Sequence, residues 1–146
     1  MIELDISLAG ETQMSRALLV SSAALADFHA PLAEAATELQ KSFQMNFDAR
    51  GQLFGGWAPR KKDQPWPLLE KTGNLRKSFF TRFEGPNTAV LGNKAKNKNG
   101  VEYAPFHQFG TSKMPARLLM KVNEAQKVIV EKIFQAHIIK STKGLR

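Results

Sequence analysis

Tyr103-Ala104-Pro105-Phe106-His107-Gln108-Phe109-Gly110-Thr111-Ser112-Lys113-Met114-Pro115-Ala116-Arg117 is the stretch around which the chain is organised. From Val101 the residues alternate, with Val101, Tyr103 and Pro105 on one side and Glu102, Ala104 and Phe106 on the other. The alternation predicts a strand over Val101 to Phe109, with Pro105 holding it to a sheet edge or a strand end. Gly110 ends it, because glycine admits backbone angles closed to other residues. Pro115-Ala116-Arg117 then leads towards an apolar helical segment.

Working outward, Gly85-Pro86-Asn87 reads as a turn between Leu75–Phe83 and Thr88–Gly92. With Val101–Phe109 these segments predict an antiparallel meander of about three strands. Leu69 to Asn74 reads as a helical turn ended at Gly73. Asn93 to Gly100 is poor in apolar residues and carries Lys94, Lys96 and Lys98 on alternate positions. It predicts a mobile cationic tip standing off the body. Gly51 to Pro67 reads as a loop anchored by Trp57 and Trp66, with the basic run Arg60-Lys61-Lys62 inside it.

Helices flank this middle. Met14 to Asp27 is helical by propensity. Pro31 suits the first turn of a second helix. Leu32, Ala35, Ala36, Leu39, Phe43 and Phe47 make one stripe along it, and it ends near Arg50-Gly51 with Gly51 as the C′ glycine. Asn123 and Gln126 have the spacing of a capping box. The helix they open carries two stripes: Ala125, Val128, Ile129, Ile133 and Ala136 form one, and Val130, Phe134 and Ile138 form the other, the candidate subunit interface. Ile2 to Leu8 alternates and predicts a strand, in its own sheet or added to a neighbour's. The expectation is a single α+β domain over residues 1–146. It has N-terminal helices, a mainly antiparallel central sheet and a C-terminal helix packed on it.

Composition excludes several classes. No apolar run approaches the roughly 20 residues needed to span a bilayer, so no membrane partner is expected. The start, Met1 to Gly10, lacks the cationic segment of a signal peptide, and synthesis in the cytoplasm is expected. Without cysteine there is no disulfide framework and no thiolate metal site. His29, His107 and His137 have no metal-binding spacing. No nucleophile motif accompanies His107, and Asp63 with Glu70 pairs as glycosidase carboxylates only by assumption. No catalytic, metal or cofactor-binding residue is expected, and the chain is read as a non-enzyme. The net charge of +8 fits solubility alone, or a surface facing phosphate or an acidic partner.

The order of the motifs carries a family resemblance. Trp57 and Pro59 come first, then Leu69, Thr72, Gly73, Leu75 and Ser78, then Tyr103, Ala104, His107, Gln108 and Gly110, and finally Pro115 and Arg117. Over roughly Asn46 to Arg117 the pattern resembles the phage virion morphogenesis family, which includes the tail-completion proteins of Mu-like and P2-like phages. It is similar to the tail-completion and head–tail joining proteins of long-tailed siphophages. The resemblance implies a structural protein of the virion neck or tail, a tail-completion, tail-terminator or head–tail joining component. It implies a homohexameric ring whose partners are the tail tube protein and a neck or head-completion protein. In such a ring Arg60, Lys61, Lys62, Lys94, Lys96 and Lys98 are the candidate lumen-facing residues, in non-specific contact with passing DNA. The alternative is a small basic nucleic-acid-binding domain, which charge alone permits.

Overall fold

A computed structural model describes residues 2–7 and 27–143. The helix expected from Met14 falls, up to Ala26, outside the described residues. Three strands form one antiparallel sheet: β1 (Ile2–Ser7), β2 (Phe79–Phe83) and β3 (Thr88–Asn93), in the order β1-β3-β2. The hairpin expected around Gly85 is present, with Phe79 opposite Asn93 and Phe83 opposite Ala89. The third strand is the N-terminal one, not Val101–Phe109. Ile2 pairs with Asn93 and Ser7 with Thr88, so β1 completes its own chain's sheet.

Helix α1 (His29–Asp48) packs on β2 and β3. Its stripe of Leu32, Ala35, Ala36, Leu39, Phe43 and Phe47 is buried as expected. The sheet face that it covers carries Phe79, Ala89 and Leu91, all buried. Phe43 and Phe47 lie 5.7 and 6.2 Å from Phe79 between ring centroids, distances at which aromatic pairs attract. The helix ends one residue earlier than expected. Arg50 takes the left-handed conformation (φ 51°), its N–H donates to Phe47 O at 3.0 Å, and Gly51 N donates to Asn46 O at 2.8 Å. That is a Schellman ending with arginine, not glycine, at C′.

The final helix α4 (Glu124–Lys143) opens on the expected capping box. Asn123 N donates to Gln126 Oε1 (2.8 Å) and Gln126 N donates to Asn123 Oδ1 (3.1 Å). It packs against α1. The stripe read as a subunit interface is the one turned inward. Phe134 is buried with Phe28, Leu32, Ala35 and Ala89, and Val130 and Ile138 pack on the same cluster. The reason is geometric: α1 offers small residues at Ala35 and the sheet offers Ala89, so an aromatic ring fits between them. The face left outside carries Val128 and Ile129, each more than two-fifths exposed.

Two short helices replace expected strand or turn. Gly73 does not end a helix. In left-handed conformation (φ 70°) it precedes α2 (Asn74–Lys77), which takes Leu75 out of the strand and into the core. Ala104–Phe109 is helix α3, not strand. Pro105 sits in its first turn, where the missing N–H costs nothing and the fixed φ suits a helix. Helix period then replaces alternation: Ala104 is buried while Phe106 and Phe109 are exposed.

Candidate functional site

The residues of the sequence pattern converge on one segment, Arg117 to Met120. Among the described residues it has no strand partner, and side chains supply most of its hydrogen bonds. Arg117 N donates to His107 O at 2.6 Å. Leu118 O accepts from Trp57 Nε1 (2.8 Å) and from Asn46 Nδ2 (3.2 Å). Gln108 Oε1 accepts from both Leu119 N (2.7 Å) and Met120 N (3.1 Å), while its Nε2 donates to Met120 O (2.8 Å). The amide of Gln108 thus pairs with the segment as a neighbouring backbone would. Leu119 and Met120 are buried, so each of these groups needs its partner.

The guanidinium of Arg117 extends the latch to the Trp57 loop. Its Nε donates to Ala58 O (2.8 Å) and its Nη2 to Pro59 O (3.1 Å). Burial lowers its pKa, and the positive charge of Arg60 lowers it further. Burial likewise pushes the His107 imidazole below its ordinary value, with Arg117 as the second cause. His107 Nδ1 is buried without a partner among the described residues. Gly110 is required by contact: a Cβ there would lie 2.7 Å from Ala116 N, and its φ is +73°. Pro115 is exposed, just after the tight Thr111–Met114 bridge.

The leucine-threonine-glycine motif builds the neighbouring corner. Thr72 Oγ1 accepts from Asn74 N (3.3 Å), and Ser78 Oγ donates to Asn74 O (2.7 Å), closing α2 at both ends. Asn74 Nδ2 donates to Tyr103 OH (2.9 Å) and to Lys96 O (3.1 Å). Tyr103 in turn stands edge-on to His107, with centroids 6.0 Å apart. Two polar residues absent from the sequence reading are central here. Asn46 and Asn93 are fully buried, and Asn93 Nδ2 donates to Leu75 O (2.7 Å) while its Oδ1 accepts from Ala95 N (3.0 Å). Asn46 had a signal: it follows Phe43 by three residues, a polar group on the apolar stripe of α1.

The basic residues do not form one cluster. The lysine stretch is folded down, not standing off: Ala95 is buried, Lys94 N donates to Ser78 O (3.1 Å), and the backbone of Lys96 pairs with that of Glu102 in an isolated antiparallel bridge. Lys94 Nζ lies 5.6 Å over the Phe80 ring on the sheet. Lys96 and Lys98 instead line a groove with Lys71, Trp66, Tyr103 and His107. Arg60 donates to Trp66 O (2.8 Å), and Lys61 and Lys62 are exposed beside it. Among the described residues no group of three or more histidine or acidic side chains is placed to hold a metal ion. No helix there is long and apolar enough to cross a membrane.

No family model, curated protein or solved structure matches the chain.

Proposed function

We propose that the chain is a structural assembly protein of a phage virion. It works at the head-proximal end of the tail, as a ring joining the tail tube to the neck. The observation that carries this reading is the convergence of the motif. Trp57 and Gln108, fifty-one residues apart, hold the segment from Arg117 to Met120 through their polar groups, and Arg117, its first residue, ties it back to the Trp57 loop. Residues spent on fixing a backbone path are what a protein acting by shape requires. The surface supports the same reading, because Phe109 is 73% exposed and Phe106 46% exposed on α3. Aromatic side chains left in water at neighbouring positions suit a protein contact.

In a ring, Arg60, Lys61, Lys62, Lys96 and Lys98 would supply a positive field that meets passing DNA through phosphate and without sequence preference.

Light scattering of the purified protein, with electron microscopy of tails incubated with it, tests the proposal. A closed ring, hexameric by expectation, seated on the head-proximal tube end is the expected result. A monomer at high concentration that leaves tails unchanged would overturn it.

A further inference from the structure

A groove of about 840 Å³ lies between the loop before α2 and the loop before α3. Leu69 contributes apolar surface to it above the buried Leu75, Trp66 and Tyr103 flank it, and Lys71, Lys96 and Lys98 stand at its rim. The three lysines are exposed, and among the described residues no carboxylate lines the groove. The nearby Glu70 is engaged by Arg76 at 3.1 Å. Leu69 itself has φ 65°, a conformation that costs a bulky residue energy and that collects at ligand sites.

We propose that this groove binds an acidic polypeptide segment with apolar side chains, supplied by a partner protein. Apolar side chains would lie on Leu69 between Trp66 and Tyr103, and carboxylates would meet the lysine rim. Charge complementarity sets the sign of the ligand. The apolar floor favours peptide over nucleic acid, and so does the state of the aromatics. Lys71 Nζ lies 5.0 Å from the Trp66 ring centroid and covers one face of that ring. An open stacking platform for bases would need such rings uncovered. This inference stands on the groove and holds whether or not the chain closes into a ring.

The test is fluorescence anisotropy with the full-length protein. One labelled probe is a peptide of roughly ten residues, with Leu or Phe at every third position and Asp or Glu elsewhere. A second is polyglutamate of the same length, and a third is oligo-dT of roughly twelve nucleotides. The mixed peptide should bind best. The double change Lys96→Glu with Lys98→Glu should weaken it roughly tenfold or more, whereas Lys94→Glu, over Phe80 and outside the groove, should change it less than about twofold. All three lysines are exposed, so circular dichroism should stay unchanged. Absence of mixed-peptide binding overturns the proposal. So does an equal loss on Lys94→Glu, or polyglutamate binding as tightly. Tighter binding of oligo-dT, lost in the double variant, would make the groove a nucleic-acid site instead.

Discussion

The indole of Trp57 occupies the space that a side chain on Gly51 would need. A Cβ on Gly51 would overlap the ring and come within 2.7 Å of Trp57 N, and Gly51 φ is +85°. The close approach brings Trp57 edge-on to Phe47, with centroids 5.1 Å apart, and aims its N–H at Leu118 O. Gly51→Ala should therefore destabilise the fold by at least about 3 kcal/mol, overlap adding to backbone strain. Gly55→Ala is the control, because φ is +102° there and nothing lies within 4 Å of the added carbon. It should cost only about 1–2 kcal/mol. Urea denaturation of both variants measures the difference, and equal costs would remove the packing role assigned to the contact.

Gln108 makes three hydrogen bonds to the Leu119–Met120 backbone. Gln108→Leu keeps the approximate volume and strands two buried N–H groups and one carbonyl. The expected cost is about 2–4 kcal/mol. Hydrogen exchange should show lost protection at Leu119 and Met120 before the sheet is affected. Global loss with no local loss would mean that the amide does not fix that segment.

Much of this architecture was legible where periodicity is long. The six apolar positions of α1 recur over four turns, and only a helix buries them together. The capping box before α4 was legible because its two residues satisfy each other locally. The alternation from Val101 to Phe106 covers only six residues, and with Ala104 and Phe106 apolar on the second side it does not separate strand from helix. Pro105 serves a first helical turn as well as a strand edge. The two stripes of α4 were visible, but which one faces inward depends on Ala35 and Ala89 across the interface, and that is not a local property. The latch was half legible. Trp57, Gln108 and Arg117 stood out, whereas what they bind is backbone, Leu118 to Met120 for Trp57 and Gln108 and Ala58–Pro59 for Arg117, and leaves no mark in sequence.

His107 gives a pH dependence. Its folded pKa is lowered, first by burial and then by Arg117, so the folded state favours the neutral ring. In the unfolded chain the ring takes a proton near its ordinary value of about 6.5. Below that pH the unfolded state binds more protons than the folded one, so stability falls as pH falls. The loss levels off once pH passes below the lowered folded value. His107→Gln should flatten this part of the stability–pH curve while the carboxylate-driven decline at lower pH remains. Chemical denaturation from pH 7.5 to 5 checks it, and an unchanged slope in the variant would place the effect elsewhere.

Phe109 and Phe134 separate folding from assembly. Phe134 is 9% exposed in the cluster with Phe28 and Leu32, its ring centroid 6.2 Å from that of Phe28. Phe134→Ala should cost about 3–5 kcal/mol, from lost burial and the cavity left behind. Phe109 is 73% exposed at the end of α3, so Phe109→Ser should change stability by no more than about 0.5 kcal/mol. If α3 presents Phe106 and Phe109 to another subunit or to the tail tube, the same change should abolish ring formation or tail binding. A truncated aromatic anchor typically costs about 2 kcal/mol or more of association energy. Thermal unfolding and light scattering on the two variants read the two effects separately. Phe134→Ala should lower the melting temperature and, where it stays folded, still assemble. Phe109→Ser should melt as the parent and fail to assemble. Normal assembly by Phe109→Ser together with Phe106→Ser would remove α3 from the contact and move attention to the Val128–Ile129 face of α4, where Val128→Asp would then be the decisive variant.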